Sequence, residues 1–141
     1  MTVINTLKSK IKADPFTQSL GIELLELGPG FSRVAMTVQP HMVNFHGIPH
    51  GGAIFTLADA AFAAAGNSHG QVAVALSMTI NYRMTVPIGT RLLAEAVEES
   101  LGKRTGLYRI TVATNDPQPK LVALCDGTVY RKQEWIDLSS K

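Results

Sequence analysis

Apolar residues recur along this chain at two different periods, and the change of period divides it into elements. Val3, Ile4, Leu7 and Ile11 fall at helical spacing with Lys8, Lys10 and Lys12 on the other side, which predicts a short amphipathic helix within residues 1–13. Asp14-Pro15 ends it, because the residue before a proline disfavours helical dihedrals. Residues 21–27 then alternate as a strand does. Pro29-Gly30 marks a turn, and residues 31–39 place Val34, Met36 and Val38 on one face, so the pair reads as a hairpin closed by Pro40. Four longer β-compatible runs follow at 72–82, 91–101, 106–114 and 121–131, separated by Pro87-Ile88-Gly89, Gly102-Lys103-Arg104 and Asn115-Asp116-Pro117. Connections this short favour antiparallel neighbours. Residues 132–141 remain as a C-terminal tail, with an end expected to fray.

Between the two groups of strands lies one long helical candidate, residues 51–66 (GGAIFTLADAAFAAAG). Alanine is the best helix former, and Gly66 with Asn67 makes a reasonable stop. Apart from Thr56 and Asp59 the segment is apolar or small on every side, the mark of a helix enclosed by protein. Its many alanines allow a sheet to approach closely all round. The expected architecture is therefore α+β, a strongly bent antiparallel sheet wrapped around one helix in a single domain spanning 1–141.

Composition adds exclusions. A hydrophobic share of 45% and a charged share of 17% in 141 residues are those of one globular domain. No run approaches the roughly 18 apolar residues of a membrane span, and the N-terminus lacks the order of a signal peptide. A net charge of +2, with basic residues scattered apart from Lys103-Arg104 and Arg131-Lys132, gives no footprint for nucleic acid. Cys125 is the single cysteine, so no internal disulfide forms and a reducing cytoplasm is the expected setting. Its apolar neighbours make it a core residue.

Candidate chemistry centres on Asp59. A carboxylate inside an apolar helix costs free energy unless it is paired, hydrogen-bonded or protonated. By itself the position fits a structural role equally well, capping a loop or reaching solvent through a gap. The loop upstream, residues 44–52 (NFHGIPHGG), delivers two glycines to the helix start. Free backbone N–H groups there, reinforced by the helix dipole, suit a developing oxyanion, and Gly51 and Gly52 let a carbonyl come close. His46 and His50 are four apart, but Pro49 between them argues against a helix and no metal site is expected. His41 and His69 read as surface or loop residues. Ser77 has no G-x-S-x-G elbow and lies in a strand, which favours hydrogen bonding over nucleophilic attack.

Asn44, His50-Gly51-Gly52 and Leu57-Ala58-Asp59, with Ser77 in VALSMTINYRMTVPIG and the later GKRTGLYRITV, resemble the hotdog thioesterases of the phenylacetate-degradation (PaaI-like) group. The likeness runs from about Pro15 to Arg131. It implies that Gly51 N–H polarises a thioester carbonyl while Asp59 acts as general base on water or as nucleophile. It further implies that Asn44 orients the water or carboxylate, and that His50 and Ser77 hold the thioester and leaving sulfur. Coenzyme A, as part of the substrate and not a cofactor, would lie near Met84, Pro87 and Gly89 and near Gly102, Lys103, Arg104 and Thr105. Asp and Gly of one site come from different subunits in this family, so a dimer is obligatory, and dimers often pair into tetramers. The implied substrates are phenylacetyl or hydroxyphenylacetyl thioesters, then medium-chain acyl groups, with Phe55, Phe62 and Met78 beside an apolar pocket. Two alternatives are a hotdog dehydratase or hydratase, against which His50 precedes Asp59 by nine residues on the same loop-helix unit with no second carboxylate beside it, and a non-catalytic acyl-CoA binding module, which has no need of a buried carboxylate.

Overall fold

A computed structural model describes residues 2–139. The elements run α1 (Val3–Lys12), α2 (Pro15–Ser19), β1 (Glu23–Gly28), β2 (Phe31–Thr37), a 3-10 turn (Pro40–Met42), α3 (Gly51–Gly66), β3 (Gln71–Tyr82), β4 (Arg91–Leu101), β5 (Thr105–Thr114) and β6 (Leu121–Trp135). All strand pairs are antiparallel, in the order β1-β2-β4-β5-β6-β3. The inner face of this six-stranded sheet carries Val34, Met36, Leu92, Tyr108, Ile110, Val112, Val122 and Val129, all packed in one core with Ile54, Leu57, Ala58, Ala61 and Phe62 of α3. Burying a Leu57 or a Phe62 contributes roughly 1.5–3 kcal/mol each, and the alanines between them let backbone and sheet approach. α3 is the central helix that its composition predicts, with the same bounds.

Four expectations need correction. α2 and the 3-10 turn both have proline at their start, where its missing N–H costs nothing, so Pro15 ends one helix and begins another. β3 and β4 are not neighbours: β3 pairs with β6, and residues 83–90 carry the chain across to β2 and β4. That segment is anchored by Arg83 N–H to Val122 O at 2.7 Å and by Gly89 N–H to Val38 O at 2.8 Å. β6 does not stop at residue 131 but continues to Trp135, opposite Gln71, with Ile136 N–H bonded to Gly70 O at 2.8 Å. The tail is thus largely strand, and residues 140–141 lie outside the described residues.

The last correction concerns α3 itself. The sheet does not enclose it. Gly52 and Ala63 are exposed, and Phe55, Thr56 and Asp59 are half-buried between them. At spacings of three, four, seven and eleven residues from Gly52 these positions form one stripe, so this chain leaves one face of its central helix open. The two edges of the sheet also differ. Beside β1, α1 packs Leu7 against Leu27 and Ala64, while β3 has no partner among the described residues beyond β6 and shows Val74 and Leu76 at 43% and 59% exposure.

Candidate active site at the start of the central helix

The loop before α3 is built around Asn44. Its Oδ1 accepts the His46 N–H at 2.9 Å and the Ile48 N–H at 3.4 Å, and its backbone N–H donates to Ile48 O at 2.8 Å. These bonds fold residues 44–48 into a compact turn that returns the chain to the helix. Asn44 Oδ1 is thereby spent on its own loop, an Asx arrangement that the residue type favours.

At the helix start nearly every backbone polar group is engaged. His50 N–H donates to Met42 O at 2.7 Å, and His50 O accepts Ala53 N–H at 3.0 Å. Gly52 N–H donates to His50 Nδ1 at 3.1 Å, so His50 is the N-cap and its ring proton sits on Nε2, free to donate outward. Gly52 O accepts the Thr56 hydroxyl at 2.8 Å, and Gly51 O accepts the Tyr82 hydroxyl at 2.9 Å. The Gly51 N–H alone donates to nothing among the described residues. An unpaired amide on a fixed frame, at the positive end of a sixteen-residue helix, is a ready anion donor. Gly51 borders a cleft of about 340 Å³ lined also by Asn44, Ile48, Ile54, Tyr82 and Met84 among others.

Asp59 lies in the open stripe of α3. It has no hydrogen bond or ion pair among the described residues, and burial raises its pKa above that of an ordinary aspartate. A carboxylate that is partly desolvated and unpaired is the state a base or nucleophile requires. Phe55 shares the stripe. Ser77 is exposed on the β3 edge, just after the ladder shifts from Ala75↔Val129 to Ser77↔Thr128, and no described contact joins it to Asp59.

The remaining expected residues are dispersed. Met84 lines the cleft; with Pro87 and Gly89 it also borders a polar depression shared with Thr90, Asn115 and Lys120. Gly102, Lys103 and Arg104 form the turn at the far end of β4, with Thr105 opening β5, and the eleven residues of β4 put roughly 33 Å between the two regions. Phe62 is not a pocket residue. Its ring is 1% exposed, edge-on to Tyr108 at 5.8 Å, and packed where a Cβ on Gly127 would lie 2.8 Å away. The period that marks a buried helix does not separate core from pocket.

Three contributors escape a reading by motif. Tyr82 ends β3 and reaches Gly51 across the sheet–helix boundary. Arg131 clamps the β4–β5 turn, its N–H on Arg104 O and its Nη1 on Gly102 O, both at 2.7 Å. His69 is no isolated surface residue: its Nε2 meets Glu98 Oε1 at 2.8 Å, and the buried Tyr108 hydroxyl donates to the same oxygen at 2.7 Å. All three pairings join distant parts of the chain, and only a stop signal or a residue type hinted at them.

Known proteins are similar to this chain in sequence and fold. The sequence profile of the thioesterase superfamily matches residues 46–120. The chain is 42% identical over 118 residues to the acyl-coenzyme A thioesterase PaaI of Escherichia coli, covering 84% of this chain and 83% of that one. The solved structure of the E. coli PaaI protein from the phenylacetic acid degradation operon superposes with a TM-score of 0.89 at 36% identity, over 96% of this chain and all of that one. A Streptococcus mutans protein bound to acetyl-CoA superposes at 0.73 with 29% identity, over 79% of this chain and 88% of that one. With its helix-start amide, its open carboxylate and its curved sheet around α3, this chain belongs to the thioesterase superfamily and has the hotdog fold of the PaaI-like enzymes.

Proposed function

We propose that this protein hydrolyses acyl-CoA thioesters as an obligate dimer, with phenylacetyl or hydroxyphenylacetyl groups the first candidates and medium-chain acyl groups the second. The observation that carries the reading is the Gly51 N–H, unpaired among the described residues, on a helix start whose neighbouring polar groups are engaged. In this reading the thioester carbonyl accepts that N–H, and Asp59 either takes the proton from a water that attacks the carbonyl carbon or attacks it directly, forming a transient anhydride that water then hydrolyses with release of a proton. A C–O bond forms, the C–S bond breaks, and coenzyme A leaves as a thiolate that the released proton neutralises. Thiolates leave readily, so the demand falls on positioning water and on the oxyanion, which need no metal or organic cofactor.

The open stripe of α3 and the free edge of β3 support a second copy as the missing cover. Pairing along β3 would extend the sheet, hide Val74 and Leu76, and set Asp59 of one subunit beside Gly51 of the other. Coenzyme A would then run between residues 84–89 of one subunit and 102–105 of its partner, regions too far apart within one chain. Asn44 shapes the loop beside the carbonyl, while His50 Nε2 and Ser77 hold the thioester. Such dimers pair into tetramers, in the reducing cytoplasm that a free, buried Cys125 suits.

A panel of acyl-CoAs followed by thiol release tests the reading. Turnover of aryl-acetyl-CoA with kcat/KM well above that of short acyl groups is the expected result. Stabilisation by acyl-CoA with no thiol released from any member would overturn it in favour of a binding module.

A further inference from the structure

Tyr82 has no place in the roles above, yet it makes a close side-chain contact with the helix start. Its hydroxyl donates to Gly51 O at 2.9 Å, and a Cβ on Gly51 would lie 3.2 Å from both Cζ and the hydroxyl oxygen. Any side chain at position 51 would therefore crowd the tyrosine ring, and glycine leaves room for it to reach the carbonyl. A carbonyl at this position of a helix ordinarily accepts the amide four residues on, which leaves one lone pair for Tyr82.

Gly51 needs such a restraint. Glycine has more backbone freedom than any other residue, and the free N–H hangs from its nitrogen. The peptide before it is held through His50, by Met42 O and by Ala53 N–H. The peptide after it is held at Gly52 N–H by His50 Nδ1 and at Gly51 O by Tyr82. Without the tyrosine hydroxyl, the peptide after Gly51 would keep the cap at Gly52 N–H and the helical bond to its carbonyl, and would lose its tie to the sheet. The hydroxyl proton is committed to Gly51 O, so Tyr82 is not itself placed to donate to a bound carbonyl.

Resting on the hydrolase reading, we infer that Tyr82 is a positioning residue for the reaction, aiming the Gly51 amide by fixing the following peptide from the end of the edge strand. Because Tyr82 closes β3, the strand that a second copy would extend, assembly and the aim of the amide are joined through one side chain.

Tyr82→Phe deletes one oxygen and keeps the ring. On an acyl-CoA that the native protein turns over, kcat should fall about five- to tenfold while KM moves less than about twofold. An effect on KM with kcat intact would overturn the inference, making Tyr82 a substrate contact. A second measurement does not depend on turnover: in protein labelled with 15N-glycine, the Gly51 amide resonance, assigned by its loss in Gly51→Ala, should shift and broaden in Tyr82→Phe. An unmoved Gly51 resonance would refute the role even if activity changed. Should the native protein cleave no acyl-CoA, the hydrolase reading fails, and the resonance still decides whether Tyr82 sets the amide.

Discussion

Gly51 and Asp59 stand eight residues apart on one helix, a rise of about 12 Å. A single carbonyl cannot touch both within one chain, and in the proposed dimer the amide of one copy would meet the carboxylate of the other. Gly51→Pro deletes the amide at a helix position whose backbone tolerates proline, behind a His50 whose ψ of 134° already suits a following proline, and its Cβ needs the Tyr82 ring to give by a few tenths of an ångström. Alone, it should lose about 10²–10³ in kcat. Co-expressed with Asp59→Asn in equal amounts, half the dimers are mixed and each has one intact site, so about a quarter of native activity should return. Activity that stays at the level of the separate variants would place both groups in one subunit's site.

Asp59→Asn should keep the fold and acyl-CoA binding and lower turnover at least ~10²-fold. Desolvation raises the Asp59 pKa, so the acid limb of the native kcat/KM profile should lie above that of an ordinary aspartate, and the variant's residual turnover should lack it. The stability sign is opposite. A carboxyl whose folded pKa is raised favours folding when protonated, and that contribution is lost as pH rises through the folded pKa. Near neutral pH the variant should melt no lower than the native protein. A clear drop in its melting temperature would mean that Asp59 is a structural carboxylate.

The sequence shows most clearly what depends on local pattern. Alanine content and a glycine stop place α3 to the residue, and alternation places β4 to the residue. It shows poorly what depends on distant partners. Residues 83–90 look like a hairpin connection, and only the pairing of β3 with β6 makes them a crossover. An all-round apolar helix looks enclosed, but composition cannot say whether the cover is this chain's sheet or another copy. The same gap puts Phe62 in the core when its type alone fits a pocket.

Glu98 illustrates a network of that non-local kind. Burial on its own would raise its pKa, but the hydrogen bonds from Tyr108 and His69, with the charges of His69 and Arg131, outweigh burial and hold it below the usual glutamate value. A carboxylate lowered in the folded state contributes stability above its unfolded pKa, near 4.5, and loses it as pH falls through the lower folded value. Glu98→Gln should therefore destabilise by a constant amount from neutral pH down to about 4.5, with the gap closing at lower pH. Melting temperatures across an acid pH series check this; a gap that persists undiminished at pH 2 would assign the loss to packing.

Gly127 and Phe62 give the corresponding test of the core. A Cβ on Gly127 would fall 2.8 Å from Phe62 Cζ and 2.9 Å from Cε1, inside the distance that carbon atoms tolerate. The ring cannot swing away, since it is buried on α3 and set edge-on to Tyr108. Gly127→Ala should cost about 1–3 kcal/mol by overpacking. Adding Phe62→Leu, which shortens the opposing side chain, should make the pair less destabilised than the sum of the two single changes. Denaturant unfolding measures all three variants. If Phe62 were a wall of the acyl pocket, Phe62→Leu would change which acyl-CoA is preferred; a core ring seated against Gly127 predicts a stability loss with that preference unaltered.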